Sequence, residues 1–222
     1  SSVILVGQVT KEGELAGPRL LEHLVDTVLM IEGDRTHAFR IARVIKHRFG
    51  STEESAVLQM TEKGLEEVPD ASAALLADRP KIVSGTIVTC LIEGSRPLLV
   101  ELQALVTPAG YATPSRRSSG IDTNRLNLLL AVLARRCSLG FGDQDVFANA
   151  IGGVDADQTS VDLSLVLALA SAKQDFIIPP TVAAWGEVGL AGEIRPVGFT
   201  SQRLKEAARM GFERVIIPHE KN

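Results

Sequence analysis

Two segments near the C-terminal end of the chain, residues 157–162 and 186–203, carry residue types from which a nucleophilic site can be built. Ser160 stands directly before an apolar helical run, and Lys205 follows the second segment. A serine hydroxyl is a weak nucleophile until an adjacent base removes its proton, so both partners must lie within hydrogen-bond reach. A Ser160–Lys205 dyad would make the chain a serine peptidase.

A structural role for Ser160 competes with that chemistry. Ser160, or Thr159 beside it, is predicted to be the N-cap of a helix, because its side-chain oxygen can accept from orphan N–H groups of the first turn. Lys205 would need desolvation to lower its pKa from about 10.4, and its charged neighbours indicate a wet surface instead. These neighbours are Arg203, Glu206 and Arg209. Asp162 adds a negative charge that would disfavour an oxyanion near Ser160.

The two segments resemble the active-site region of the Lon protease family. In that family a serine opens a helix after a Gly-rich turn, and a later Gly-Glu-Val…Pro-(Ile/Val)-Gly frame carries the lysine that takes the serine's proton. Ser160 stands at the position of the serine, and, counting on from Pro196, Ser201 stands at the position of the lysine. Asp162 occupies a position where the family places glycine. The resemblance implies the fold of a protease and argues against its activity, because the serine is present and the lysine is not.

The N-terminal third resembles the RadA (Sms) family of bacterial repair proteins. The resemblance rests on residues 6–29 and 39–50, within which residues 46–50 stand in for the family's Lys-Asn-Arg-Phe-Gly motif. Gln8 and His47 depart from the family, which usually carries histidine and asparagine there. In that family a RecA-like ATPase is followed by a Lon-like domain with an incomplete dyad, and the similarity extends over essentially the whole chain.

The resemblance implies an α/β (α+β) chain in two parts. Residues 1–68 would be the C-terminal strands of a RecA-like core, and residues 69–222 a Lon protease-like domain of the ribosomal protein S5 domain 2-like fold. No phosphate loop of the form GxxxxGK(S/T) occurs in the chain, so we expect no cofactor in this fragment and no ATP turnover by it alone. ATP, Mg²⁺ and a zinc finger are implied for the full-length protein, upstream of this sequence.

Hydrophobic periodicity predicts the elements that would position these residues, with mixed strands and helices throughout. The predicted strands are residues 3–9, 25–32, 38–49, 85–93, 97–106, 145–150 and 214–218, with a hairpin over 182–197. The predicted helices are residues 18–24, 122–136, a helix opened by residue 159 or 160, and 200–210. Residues 10–17 and 114–120 are predicted as loops, and residues 66–80 as a linker.

A basic stretch lies in the first part of the chain. Residues 35–52 contain five Lys or Arg and no acidic residue, although the formal net charge of the chain is -4. The five are Arg35, Arg40, Arg43, Lys46 and Arg48. On a regular strand Arg40, Lys46 and Arg48 share one face. Composition alone fits a solvated strand face equally well, but the resemblance implies that Lys46 and Arg48 act in trans at the ATP site of a neighbouring subunit.

Further cations are candidates for contacts with DNA. Lys11 lies in the Gly-rich loop of residues 10–17, where glycines let the backbone approach phosphates closely. Arg40 and Arg43 belong to the basic stretch, and Arg116 and Arg117 lie in the loop before the long helix. A flexible surface loop would explain Arg116 and Arg117 as well. The expected binding of a polyanion is what favours a functional role for them.

We expect this chain to be a part of a DNA repair and recombination protein. That protein would form a homo-hexameric ring and process branched intermediates through branch migration. The expected partners are single-stranded or branched DNA, further copies of the chain, and a RecA recombinase. The alternatives are a serine peptidase with a Ser160–Lys205 dyad and a pure protein-interaction module. No apolar run is long enough to cross a bilayer, and Cys90 and Cys137 lack a CxxC partner. These features favour a cytoplasmic protein without a metal site in this fragment.

Overall fold

The computed structural model of the chain describes residues 3–7, 23–33, 39–110 and 113–219. Its strands are β1 Thr27–Glu32, β2 Phe39–His47, β3 Ser55–Thr61, β4 Gly64–Glu67, β5 Thr86–Glu93, β6 Arg96–Pro108, β7 Arg116–Ser119, β8 Gln144–Ala150, β9 Val182–Ala184, β10 Glu187–Val188, β11 Ile194–Arg195 and β12 Arg214–Ile216. Its helices are α1 Ala71–Leu76, α2 Thr123–Arg136, α3 Asp162–Gln174 and α4 Thr200–Arg209, and a 3-10 turn, Thr159–Val161, precedes α3.

The strands form two main sheets and one short hairpin. A four-stranded antiparallel sheet has the order β1-β2-β3-β4, and a six-stranded mixed sheet has the order β12-β9-β5-β6-β8-β7. In the larger sheet β12 and β9 are parallel to β5, β6 is antiparallel to both its neighbours, and β7 is parallel to β8. β10 and β11 pair only with each other. The α/β (α+β) fold class is therefore confirmed.

Helices cover the six-stranded sheet on both faces. On one face α2 and α3 bury a large core, to which α2 contributes a stripe of four leucines at helical spacing. The stripe consists of Leu126, Leu129, Leu130 and Leu133. On the other face α1 and α4 pack over β5, β9 and the first half of β6, around Val88, Leu99 and Trp185. Asp122 caps α2 by accepting from the backbone N–H of Arg125 at 2.6 Å.

The β5–β6 hairpin touches the four-stranded sheet at its turn. Gly94 has a φ of 64°, and a Cβ atom there would lie 2.0 Å from the carbonyl oxygen of Glu53. The backbone N–H of Ser95 donates to that same oxygen at 2.7 Å. A glycine is therefore required both by the left-handed conformation and by the close approach of the two backbones.

Several predicted elements are wrong. Residues 3–7 have no regular secondary structure, because a strand needs partners and no described strand pairs with them. The predicted linker of residues 66–80 contains the end of β4 and helix α1. The predicted hairpin of residues 182–197 is split, since β9 joins the six-stranded sheet and only β10 and β11 form a hairpin. β3 and β4 are additional strands.

The first part of the chain shares its inner face with the larger core. Ile41 of β2 and Val57 of β3 are buried in the same cluster as Leu75 of α1. The boundary at residue 68 stays a prediction. Residues 10–17 and most of the predicted helix of residues 18–24 lie outside the described residues, although His23 and Leu24 are helical. Within the described ranges, no helix is long and apolar enough to span a membrane.

Candidate active-site region and basic residues

Ser160 lies in the 3-10 turn that leads into α3 and is only 3% exposed. Its hydroxyl donates to Oε1 of Gln158 at 3.5 Å, a long hydrogen bond to a neutral amide. The N-cap position of α3 is Val161, with no side-chain hydrogen bond, so the prediction that Thr159 or Ser160 caps this helix is wrong. The 3-10 turn carries the chain directly into the helix, and the Ser160 side chain is turned into the protein.

The carboxylate two residues further on is buried and fully paired. Asp162 is 0% exposed and accepts from Nε of Arg125 at 2.8 Å, from Nη2 of Arg125, and from the backbone N–H of Val188 at 3.0 Å. Nη2 of Arg125 also donates to the carbonyl of Val188 at 3.1 Å. The hydrogen bond to Asp162 raises the pKa of Arg125 against the opposing effect of burial. The pair therefore holds both backbone groups of Val188, as a neighbouring strand would.

The helix that would carry a catalytic lysine is α4, and it buries an arginine in place of a lysine. Ser201 and Lys205 are exposed on α4, whereas Arg203 between them is 3% exposed. Arg203 donates to the carbonyl of Gly198 at 3.0 Å and to that of Cys90. Burial lowers the pKa of Arg203, but an arginine stays protonated in proteins and cannot act as a base. The side chain of α4 that enters the protein is therefore a hydrogen-bond donor to carbonyls.

The open edge of β5 beside Ser160 is covered by side chains. β9 pairs with β5 at Val88 alone, which leaves the following backbone groups of this edge without a strand partner. Arg203 binds the carbonyl of Cys90. The side-chain amide of Gln158 binds both groups of Ile92, accepting from its N–H at 3.2 Å and donating to its carbonyl at 2.8 Å. An extended peptide would have to displace both side chains to pair here.

The buried thiol in this region offers no alternative nucleophile. Cys90 is 0% exposed, and burial raises the pKa of its thiol to about 12. Because the thiolate is the reactive form of cysteine, a thiol with so high a pKa is inert at neutral pH.

A β-bulge separates the cations that a regular strand would place together. Leu29 of β1 pairs with Val44 and Val28 pairs with Lys46, so Ile45 is an extra residue in β2. The alternation of side chains is reversed beyond a bulge of this kind. Lys46 therefore shares a face with Ile41 and Arg43 and lies opposite the face of Arg40, and the prediction that Arg40 and Lys46 share a face is wrong.

Lys46 and Arg48 both contact the segment before β1. Nζ of Lys46 donates to the carbonyl of Val25 at 2.9 Å and to that of His23 at 3.4 Å. Arg48 lies beyond the end of β2 and pairs with Asp26 at 3.0 Å, with side chains 68% and 59% exposed. Arg48 is thus held by one exposed ion pair, whereas Lys46 is half-buried against backbone carbonyls.

Arg43 joins the two parts of the chain. Its guanidinium pairs with Glu32 of β1 at 2.8 Å and with Glu93 at the end of β5 at 2.8 Å. The side chain of Glu93 is 5% exposed, and burial raises its pKa while Arg43 opposes that rise. The hydroxyl of Ser55 donates to the Glu93 carbonyl at 2.6 Å. Arg40, by contrast, donates to the carbonyl of Phe39 at 2.7 Å.

The predicted loop of residues 114–120 is an edge strand, β7, paired in parallel with β8. Arg116 donates to the carbonyls of Ser115 at 2.9 Å, Phe141 and Gln144, which fixes the turn before β8. The side chain of Arg117 points the other way and is exposed, and its guanidinium has no hydrogen bond or ion pair to any described residue. Roles of Arg43, Arg116 and Arg117 in DNA binding stay predictions. Lys11 and Arg35 lie outside the described residues.

Sequence reasoning missed the residues that seal the Ser160 region. Gln158, Arg125 and Arg203 carry no motif of their own, and their partners lie far away in the sequence. The one available signal was Asp162 in place of a glycine, because a carboxylate within an apolar helix requires a cation nearby. The described residues include no cluster of histidine, cysteine and carboxylate side chains that could hold a metal ion.

Comparison with known proteins finds a matching family model and several similar proteins. Residues 141–222 match the Lon protease (S16) C-terminal proteolytic domain. The DNA repair protein RadA of Aquifex aeolicus is 51% identical over 214 residues, which cover 96% of this chain and 48% of that protein. RadA of Bacillus subtilis is 49% identical over 216 residues, covering 97% of this chain and 47% of that protein. RadA of Escherichia coli is 48% identical over 217 residues, covering 98% of this chain and 47% of that protein.

The chain thus spans about half the length of the curated relatives that it matches. The similarity extends over nearly all of this chain, through the four-stranded sheet as well as the Lon-like part. The chain belongs to the RadA family of DNA repair proteins and corresponds to their C-terminal portion.

Proposed function

We propose that this chain is the scaffold portion of an ATP-dependent DNA repair protein that processes branched recombination intermediates as a homo-oligomeric ring. In this proposal the chain contributes DNA contacts, packing between subunits and cations that act in trans. ATP and Mg²⁺ bind to the preceding ATPase portion, zinc binds to an N-terminal finger, and a RecA recombinase is a functional partner. The sealed Ser160 region is the observation that carries the proposal, because it argues against peptide hydrolysis.

Peptide hydrolysis would need several changes at once. Ser160 would need a base, yet its hydroxyl bonds to the amide of Gln158. The position of the lysine holds Ser201, and Lys205 is exposed to water one turn further along. The strand edge that an extended peptide could join is occupied by Gln158 and Arg203. No observation favours the alternative of a Ser160–Lys205 peptidase.

The absence of peptidase activity is tested with unfolded casein and small fluorogenic peptides. We expect the wild-type chain and Ser160→Ala to give the same background signal, because no activated nucleophile is available. Turnover by the wild type that disappears in Ser160→Ala would contradict the scaffold proposal.

Contacts with DNA are proposed for Lys11, Arg40 and Arg117. Arg43 and Arg116 are weaker candidates, since the guanidinium of Arg43 binds two carboxylates and that of Arg116 binds three carbonyls. Binding of fluorescein-labelled single-stranded and branched DNA, measured by anisotropy over a series of salt concentrations, tests the proposal. Each phosphate contact that is removed should lower the salt slope by about one, as expected for Lys11→Ala. A chain that binds neither DNA would contradict the proposed DNA contacts.

Arg48 is the better candidate for action across a subunit boundary. An exposed ion pair such as Arg48–Asp26 contributes roughly 0 to 1 kcal/mol, so Arg48 can leave Asp26 at little cost. A cation supplied in trans to a transferring phosphoryl group can increase turnover by ~10³ or more. Lys46 would support the same segment through its bonds to backbone carbonyls.

The trans assignment is tested in a full-length relative. Arg48→Ala should leave folding and nucleotide binding intact but strongly reduce DNA-stimulated ATP hydrolysis. Mixing this variant with a phosphate-loop mutant should restore part of the activity, because each subunit supplies what its neighbour lacks. If mixed rings recover nothing while wild-type subunits exchange, Arg48 acts within its own chain.

A further inference from the structure

One half of the six-stranded sheet has a face that none of the described helices covers. α1 and α4 cover β5, β9 and the first half of β6, around Leu99. Beyond that point the same face continues across β6, β8 and β7. The strand register places Leu105, Phe147 and Arg117 side by side in one row, and Gln103, Asn149 and Ser119 side by side in the next. We call this the β6–β8–β7 face.

The direction of these side chains follows from burial. Val146 and Ala148, which flank Phe147 in β8, are 0% and 4% exposed and belong to the core under α2 and α3. Side chains alternate along a strand, so Phe147 points to the opposite side. Leu105 is 60% exposed, although Ala104 before it is 8% exposed. Phe147 is half-buried between Leu105 and the exposed Arg117.

The charges near this face leave a cation available. The guanidinium of Arg117 has no hydrogen bond or ion pair within the part of the chain that the structure describes. Asp145 of β8 directs its carboxylate at backbone N–H groups, those of Ser115 at 2.6 Å and Gly110 at 3.4 Å. Glu101 of β6 is 2% exposed, and burial raises its pKa. An anionic partner would therefore find Arg117 without a competing carboxylate.

We propose that the β6–β8–β7 face binds single-stranded DNA, with a base stacked on the ring of Phe147 and the adjoining phosphate on the guanidinium of Arg117. The amide of Asn149, one row along, can bond to the edge of a neighbouring base. The inference rests on the proposed function, in that it gives the DNA contacts of this chain a site. A flat sheet with an aromatic ring, a neighbouring unpaired arginine and amides fits a polyanion that carries flat rings. Duplex DNA buries its base faces and cannot use Phe147 in this way.

Matched substitutions separate stacking from charge. Phe147→Leu removes the ring while keeping an apolar side chain, and Phe176→Leu is its control, because Phe176 is 41% exposed and lies outside this face. Arg117→Gln removes the cation, and its control is Arg135→Gln at the exposed end of α2. All four are measured on the 222-residue chain by anisotropy with a labelled oligo(dT) strand and with a duplex of the same length. Thermal unfolding verifies that each variant is folded.

We expect Phe147→Leu to weaken binding of the single strand about tenfold and to leave binding of the duplex unchanged, as for loss of one base–aromatic stack. Arg117→Gln should weaken single-strand binding and lower its salt slope by about one. Both controls should bind like the wild type. Phe147→Trp should retain affinity, and its fluorescence should be quenched by the strand, against the constant signal of the buried Trp185.

The outcomes distinguish this inference from the proposed function. If the wild type binds the strand and folded Phe147→Leu and Arg117→Gln bind it equally well, the face is not the site, although the chain still binds DNA. The stacking would also be overturned if Phe176→Leu weakened single-strand binding as much as Phe147→Leu does. Loss of duplex binding in Phe147→Leu would overturn it as well. If the wild type binds neither the single strand nor the duplex, the proposed DNA contacts are wrong, and the site on this face is wrong with them.

Discussion

The two sheets of this chain differ in how they bury their apolar side chains. The six-stranded sheet carries helices over one face and over half of the other, and large side chains beneath them, such as Leu91 and Leu102, are almost completely buried. The four-stranded sheet buries only its inner face, where Ile41 and Val57 are 7% and 3% exposed. Its outer face exposes a row of large apolar side chains. These are Leu29 at 67%, Ile31 at 52%, Met60 at 49% and Leu65 at 42%.

This difference shows where each sheet obtains its stability. Removing apolar surface from water contributes roughly 25 cal/mol per Å². The six-stranded sheet gains this contribution on two sides, from helices of its own. The four-stranded sheet gains stabilisation from apolar burial on one side only, where it packs against the other part of the chain. There Ile41 and Val57 pack with Leu75, and Arg43 pairs with Glu93. The smaller sheet therefore depends on the larger part, and the reverse dependence is weak.

Separating the two parts should give the largest effect. We expect residues 69–222 to unfold cooperatively on their own and residues 1–68 to remain unfolded, because separation exposes the apolar inner face of the four-stranded sheet to water. Circular dichroism and urea titration of both fragments measure this. A folded fragment of residues 1–68 would show that the four-stranded sheet does not need the larger part.

The buried ion pair of the larger part should give the next largest effect. Removing Asp162 leaves Arg125 without its partner, and Asp162→Ala should lower the free energy of unfolding by about 3 to 5 kcal/mol. The double variant Arg125→Met with Asp162→Leu should lose much less, since no unpaired charge remains. Arg135→Ala on the same helix is the control, expected within about 0.5 kcal/mol of the wild type.

Urea unfolding of the four proteins measures these differences. If Asp162→Ala loses no more than Arg135→Ala, the interior of the larger part does not depend on this pair. The pair would then resemble the exposed ion pairs of the four-stranded sheet, and the contrast between the two parts would be smaller than their burial implies.

The sequence predicts the elements that depend on local residues. The β5–β6 hairpin follows from alternation on either side of Gly94, and α2 follows from leucines that recur at helical spacing. β7 was predicted as a loop because Arg116–Ser119 is a short polar segment whose pairing with β8 is set by residues far away in sequence. The bulge at Ile45 could not be predicted, since only the partner strand defines it.

The candidate site was predictable only in part. The positions of Ser160 and Ser201 follow from a family resemblance, but burial of Ser160 does not. Arg125 and Asp162 lie 37 positions apart, and no periodicity connects them. Their pairing depends on how α2 and α3 pack, which is a property of the tertiary structure. For the same reason, the pairing of Arg43 with Glu93 could not be predicted from a basic strand.

The joint between the two parts should give an intermediate effect. Arg43→Met leaves the buried carboxylate of Glu93 without its cation, and we expect a loss of about 2 kcal/mol, as for a hydrogen bond to a charged group. Arg43→Met combined with Glu93→Gln should recover most of that loss. Arg48→Met is the control in the same sheet, with an expected loss of about 0 to 1 kcal/mol, because its pair is exposed.

The pH dependence of the Arg43 effect gives a second test. Burial already raises the pKa of Glu93, and loss of Arg43 removes an interaction that opposes the rise. A carboxyl whose pKa is higher in the folded state stabilises the fold at low pH and loses that contribution as pH rises. In urea unfolding, the free energy of unfolding of Arg43→Met should therefore fall further below that of the wild type as the pH is raised above the ordinary pKa of glutamate. A deficit independent of pH would mean that Glu93 is not the group left unpaired.

The contact between α1 and α4, both within the larger part, should give the smallest effect. Asp70 caps α1 by accepting from the N–H of Ala73 at 3.0 Å and pairs with Arg209 of α4 at 2.6 Å. The hydrogen bond from Arg209, followed by that from Ala73, lowers the pKa of Asp70 to about 2. A carboxyl with a depressed pKa stabilises the fold above its ordinary pKa and loses that contribution as pH falls toward 2. Asp70 is 42% exposed, so solvent reduces the effect.

Two substitutions divide this contact into cap and ion pair. Asparagine is as good an N-cap as aspartate, so Asp70→Asn should lose only the ion pair, at most about 1 kcal/mol at neutral pH. Asp70→Ala should lose the cap as well, about 1 kcal/mol more. Urea unfolding is measured at pH 7 and between pH 4 and 2. The free energy of unfolding of Asp70→Asn should lie below that of the wild type at pH 7. This difference should shrink as the pH falls, because the wild type then loses the same contact. An Asp70→Asn protein that is as stable as the wild type at pH 7, together with a destabilised Asp70→Ala, would assign the contribution of Asp70 to the cap, and the contact between the helices would add nothing to the stability of the larger part.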